Sequence, residues 1–95
     1  MSGEIALPPI ALRAKSLIEV LDDVYREVGR AEKKHKPMHS AHEGLSVIWE
    51  EFEELKVEVF KGGSTPRNLP AMRKEAVEVA AMAVRFIRDV CDRRP

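Results

Sequence analysis

Two Glu-x-x-Glu pairs, Glu51/Glu54 and Glu75/Glu78, stand at equal distances from the turn Gly62-Gly63-Ser64-Thr65-Pro66. The midpoint between Glu54 and Glu75 is also the midpoint between Glu51 and Glu78, and it falls between Ser64 and Thr65. Residues three apart on a helix share a face, their Cβ atoms about 5–6 Å from one another. A chain that reverses at this turn as an antiparallel helix hairpin therefore sets Glu54 opposite Glu75 and Glu51 opposite Glu78. Four carboxylates meeting in this way form the oxygen-rich donor set of a divalent-metal site.

Apolar spacing elsewhere is also helical. Ile10, Ala14, Leu17, Leu21, Val24 and Val28 follow Pro8-Pro9 in steps of four and three, with Ile18 and Tyr25 widening the stripe, which predicts an amphipathic helix from about residue 10 to about 34. Pro37 ends it, because proline lacks the amide hydrogen and disfavours helix in the residue before it. Ser40-Ala41-His42-Glu43 matches a capping box, and Leu45, Ile48, Phe52, Leu55 and Val59 form the stripe of a second helix over 41–61. Glu51 lies at the edge of that stripe. Gly62-Gly63 closes the helix, since glycine readily takes the left-handed conformation found at helix ends. Met72, Ala76, Val79, Ala83, Phe86, Ile87 and Val90 mark a third helix over 69–92, opening between Pro66 and Pro70, a position where proline is tolerated. No strand alternation, internal repeat or low-complexity tract interrupts the pattern. The chain reads as one all-α domain, residues 1–95, built as a three-helix protomer.

With 44% apolar residues in 95 and an aromatic candidate for exposure in Trp49, the three stripes offer more apolar surface than so small a protomer covers. A homodimer, or a dimer of dimers, completing a larger helical bundle is the expected assembly. The formal net charge is zero, which argues against nucleic-acid and anionic-membrane partners. The N-terminus lacks the basic start of a leader, and no apolar run approaches the roughly 20 residues of a membrane span. Cys91 is the single cysteine, so no intrachain disulfide forms, and a soluble cytoplasmic protein is expected.

The acidic face is costly enough to need a reason. Between Glu43 and Phe60 there are six glutamates against Lys56 alone. Glu50/Glu54 and Glu54/Glu58 are like charges at i,i+4, each costing an isolated helix about 0.2–0.5 kcal/mol. Glu75 and Glu78 flank apolar positions, where an unpaired carboxylate loses hydration or takes up a proton. Ala80, Ala81 and Ala83 are small enough to let helices approach closely. A hard cation, Mg²⁺ or Mn²⁺, would neutralise the cluster. Zinc is disfavoured for want of placed nitrogen or sulfur ligands, and Pro37 separates His35 from His39 and His42.

At these residues the chain resembles the MazG-like nucleoside triphosphate pyrophosphohydrolases, an all-α family whose motif is E-E-x-x-E followed by E-x-x-D on the next helix. The likeness runs from about His39 to Asp89. Glu50-Glu51-Phe52-Glu53-Glu54-Leu55 corresponds to the first motif, Arg73-Lys74-Glu75-Ala76-Val77-Glu78 to the second, and Val79-Ala80-Ala81-Met82-Ala83-Val84 to the alanine-rich continuation of short members. The resemblance implies that Glu51, Glu54, Glu75 and Glu78 bind Mg²⁺ and that a nucleoside triphosphate, ribo- or deoxyribo-, is cleaved to the monophosphate and pyrophosphate. Two departures stand out. Glu78 replaces the usual aspartate, reaching one methylene further, and the chain stops soon after Asp89, without the helix that contacts phosphates in longer members.

For that reaction Glu50 is the candidate to orient or deprotonate the attacking water, and Lys61 and Arg85, at helical spacing from Glu54 and Glu78, are the candidates to contact phosphate oxygens. Lys33-Lys34-His35-Lys36 is a further basic run that fits either a phosphate clasp or a solvated helix end. A non-catalytic helical dimer binding nucleotide or a protein partner is the alternative from another class. A phosphoribosyl-ATP pyrophosphatase-like hydrolase is the related enzyme reading.

Overall fold

The structure, a computed structural model, describes residues 16–62 and 65–93. The expected start of the first helix near Ile10 and the Gly63-Ser64 centre of the turn lie outside those residues. Among the described residues the protein is all-helical: α1 spans Leu17–Lys34, α2 spans Ala41–Gly62, and α3 spans Leu69–Phe86 and runs on into one π-helical turn, Ile87–Cys91. None of these helices is long and apolar enough to cross a membrane.

Each start is set by local chemistry. Ser16 is extended (φ −66°, ψ 163°) and forms a complete capping box with Glu19. Its Oγ accepts from the Glu19 amide at 3.2 Å while the Glu19 carboxylate accepts from the Ser16 amide at 2.9 Å, satisfying two donors that a helix start leaves bare. At α2, Ser40 Oγ accepts from the Glu43 amide at 3.1 Å, but the Glu43 carboxylate takes the amide of His39 instead of that of Ser40. Asn68 precedes α3, with Pro70 in the first turn. The Asn68 side-chain amide donates to the Glu58 carbonyl at 2.5 Å, tying the start of α3 to the last turns of α2.

α3 packs along both α1 and α2, whereas α1 and α2 scarcely meet. The core is correspondingly thin: Val24, Val28 and Ala31 of α1, Met38 of the α1–α2 connection, and Ala81 and Met82 of α3. Ala81 is fully covered, as its small side chain allows close approach of the neighbouring helices. Three hydrogen bonds to residues 85–93 hold the 35–40 connection in place. Arg85 Nη2 donates to the Lys36 carbonyl (2.9 Å), the Met38 amide donates to Asp89 Oδ2 (3.0 Å), and Arg93 Nη2 donates to the His39 carbonyl (3.2 Å). Arg73–Asp23 and Arg88–Glu32 pair α3 and its π-helical turn with α1.

The apolar stripes face the interior only in part. On α2, Ile48 and Leu55 are half-buried, but Leu45, Phe52 and Val59 are exposed, with Trp49 beside them at 59%. On α3, Ala76 and Ile87 are exposed while Glu75, Glu78, Met82 and Arg85 are partly or wholly buried. Both helices are rotated so that carboxylates occupy positions that the stripes alone assign to core.

Gly44, buried near the start of α2, marks the tightest approach. A Cβ there would lie 2.5 Å from Phe86 Cδ2 and 3.1 Å from Met38 Sδ, whereas one at Gly29 in α1 would meet nothing within 4 Å. Gly29→Ala is expected to stabilise the fold by about 0.5–1 kcal/mol through backbone entropy alone. Gly44→Ala makes the same entropic gain but must displace the Phe86 ring, and overpacking of this kind costs about 1–3 kcal/mol. Urea unfolding of the two variants should therefore shift in opposite directions.

Candidate metal centre

Glu51 and Glu54 lie one turn apart on α2, and Glu75 and Glu78 one turn apart on α3. The packing of those two helices brings all four together. One carboxylate oxygen from each can be chosen so that the four lie within 4.8 Å of one another. Glu54 is exposed, and the other three are half-buried. Oε1 of Glu51 and Oε1 of Glu75 are out of contact with water and have no hydrogen-bond partner, which is rare for buried oxygens.

Electrostatics carry the same sign. Burial, the hydrogen bond from its carboxyl to Glu78, and the charges of Glu54, Glu78 and Glu75 push the pKa of Glu51 up from 4.5 to about 7. Burial also raises Glu75, although Lys74 opposes the shift. Glu78 goes the other way. Burial presses its pKa upward, but hydrogen bonds from Lys74 and from the Glu51 carboxyl outweigh this and hold it below the ordinary value. Below about pH 7 Glu51 therefore carries a proton, which its carboxyl directs towards Glu78 and which lowers the repulsion within the quartet. Lys74 is the only cation paired with the cluster among the described residues, at 3.0 Å from Glu78 and 3.6 Å from Glu75. With 65% of its side chain exposed, it compensates from the rim.

Beside the quartet runs a groove of about 820 Å³. It exists because α1 and α2 scarcely touch. Glu27, Arg30 and Lys34 of α1 form one wall, Glu43, Glu50 and Glu51 of α2 the other, and α3 supplies Lys74, Glu78, Met82 and Arg85 along the base. His35 and Lys36 line its end at the α1–α2 connection. Glu51 and Glu78 therefore belong at once to the quartet and to a recess open to a ligand.

The other candidates fall in different places. Glu50 is exposed and lines the groove one residue from Glu51. Arg85, the other phosphate candidate, also lines it and is buried, at 3% exposed. Lys61 does not line it: its ammonium pairs with Glu58 at 3.7 Å near the end of α2. Trp49 donates from Nε1 to Glu53 at 3.0 Å on the exposed side of α2. The sequence reading missed Lys74 as a member of the cluster, although its i,i+4 relation to Glu78 was a usable signal. Of the α1 wall it singled out Lys34, within the basic run 33–36, but not Glu27 or Arg30.

No family model, no curated protein and no solved structure matches the chain. The geometry of these side chains is therefore what bears on function.

A raised carboxyl pKa gives a definite pH dependence. The folded state holds the Glu51 proton more tightly than the unfolded chain, so the group does not oppose folding below pH 4.5 and opposes it increasingly as pH rises to about 7. Glu51→Gln removes that opposition. In EDTA, the melting temperature of Glu51→Gln relative to wild type is expected to rise across this window and level off above it. Thermal melts at stepped pH measure the difference.

Proposed function

We propose that the quartet binds Mg²⁺ or Mn²⁺ and that the protein hydrolyses nucleoside triphosphates, ribo- or deoxyribo-, to the monophosphate and pyrophosphate. The observation that carries this reading is the convergence of four carboxylates with two buried, partnerless oxygens. The donor set fits a hard cation: four oxygens, no nitrogen or sulfur, and room beside them for water and phosphate. Glu51, Glu54, Glu75 and Glu78 would hold the ion, which when bound supplies positive charge against the triphosphate and the departing pyrophosphate.

The chain's own groups do the rest. Glu50, exposed on the groove wall beside Glu51, orients a water and takes its proton as the water oxygen bonds to the α-phosphorus. The bond from that phosphorus to the bridging oxygen breaks, and pyrophosphate leaves with the electron pair. Arg85 supplies charge to the phosphate end of the groove. Lys61, held by Glu58 outside the groove, is left with a contact to substrate only if the nucleotide extends past the quartet.

The antiparallel pairing of α2 with α3 is part of this reading. It is supported by contacts at both ends of the pair, Gly44 against Phe86 and Gly62 against Asn68. So is a homodimer. Leu17, Ile18, Leu21 and Tyr25 on α1, and Leu45, Trp49 and Phe52 on α2, are each at least half exposed, an amount of bare apolar surface that a second copy would cover. Light scattering in line with size exclusion is expected to give twice the chain mass for wild type and a single chain mass for Phe52→Glu. A monomeric wild type would remove the dimer from the proposal.

Pyrophosphate release from a panel of canonical and modified nucleotides, with and without Mg²⁺, tests the reaction. Release is expected only with the metal, and Glu51→Gln or Glu75→Gln should lose at least about tenfold in Mg²⁺ affinity and in rate. Full activity in either variant refutes the assignment. Tight Mg²⁺ and nucleotide binding without release would identify a binding protein instead.

A further inference from the structure

Four arginines among the described residues are matched to carboxylates. Arg26 pairs with Asp22, Arg30 with Glu27, Arg73 with Asp23 and Arg88 with Glu32. Arg85, like the exposed Arg67 and Arg93, has no carboxylate partner among the described residues, and of these it alone is buried, at 3% exposed. Its partners are neutral: the Lys36 carbonyl at 2.9 Å and the Met82 sulfur at 3.6 Å. Its Nε is out of contact with water and donates to nothing. A guanidinium stays charged at any pH a protein tolerates, and a buried charge with no counter-charge is costly to the fold. An anion beside it would offset that cost.

The surroundings say where that anion would sit. Arg85 lines the groove at the end closed by the α1–α2 connection, together with Lys34 and Lys36, and neither lysine has a carboxylate partner among the described residues. The nearby acids are engaged: Glu27 by Arg30 and Glu43 by the His39 amide. Glu50 and Glu51 lie two turns further along α2 from Glu43. Arg85, Lys34 and Lys36 thus line one groove without a carboxylate partner among the described residues, and Glu43 beside them is held by a backbone amide.

We propose that this end of the groove is a subsite for a phosphoryl or pyrophosphoryl group, with Arg85 as its buried anchor and Lys34 and Lys36 as its rim. Arg85 follows Glu78 by seven residues, so the two lie about 10 Å apart along α3. One phosphorylated ligand can span from the quartet to the subsite, its anionic end clamped by cations of the same protomer. The subsite extends the nucleotide reading and rests on it only for the identity of the rest of the ligand.

Inorganic pyrophosphate titrated calorimetrically in EDTA tests the subsite without the metal. Wild type is expected to bind, and the exposed double substitution Lys34→Gln/Lys36→Gln to weaken binding about tenfold or more while leaving Mg²⁺ binding in the absence of nucleotide unchanged. Arg85→Met should abolish it, and because Arg85 also holds the Lys36 carbonyl, that result counts only beside the double variant. No binding in EDTA, or equal binding by wild type and the double variant, overturns the subsite even if nucleotides are hydrolysed. Pyrophosphate binding as expected, with no hydrolysis of any nucleotide, retains the subsite and removes the nucleotide reading.

Discussion

Repulsion among four carboxylates at the α2–α3 contact is the constraint to which the rest of the molecule answers. Helix pairs usually put apolar side chains at their closest approach, because burial there is most favourable. Here the approach is shared between Ile48 and Leu55 on one side and Glu51, Glu75 and Glu78 on the other. The contact survives through three compensations: the small Ala81 where the core is tightest, Lys74 reaching over the rim, and a proton held by Glu51. None of them fills the space between the carboxylates. A dication would replace the shared proton and relieve the partnerless oxygens together, and its binding would stabilise the folded state by mass action.

The sequence made the quartet legible because two regularities fix it. A three-residue spacing puts two carboxylates on one helix face whatever the helix packs against, and two such pairs equidistant from a turn must meet if the helices pack along each other. The Ser40 start, the Pro37 break and the Pro70 start were legible for an equally local reason, since each depends on backbone groups within a few residues. The Ser16–Glu19 box is no less local, yet the apolar stripe continuing back to Ile10 obscured it.

What could not be read is rotation. Leu45, Phe52 and Val59 share a stripe with Ile48 and Leu55, and periodicity assigns the whole stripe to one interior. In the structure only its edge meets α3. Phe52 follows Glu51 by one residue, about 100° around the helix axis, so turning Glu51 inward turns Phe52 out. The stripe identifies an apolar face but not which partner covers it. Arg30 on the α1 wall escaped for a related reason: it comes to share a groove with Glu51 and Arg85 only because both helices lean on α3. Arg85 was legible as a candidate for phosphate but its burial was not, because it depends on the 35–40 connection, whose Lys36 carbonyl it binds.

That rotation gives α2 two different outlooks. Its carboxylate side, with Glu43, Glu50 and Glu51, borders a groove kept open by the lack of α1–α2 contact. Its aromatic side, with Trp49 and Phe52, looks to solvent. Had α1 closed against α2, the core would be thicker. The resulting bundle would have no recess in which unpaired acids and unpaired bases face a common space. Leaving the groove open sacrifices apolar burial within the protomer, and the bare faces of α1 and α2 are where that burial can be recovered by association. Thin core, open groove and exposed aromatics are therefore one arrangement, following from helices oriented to serve charge before packing.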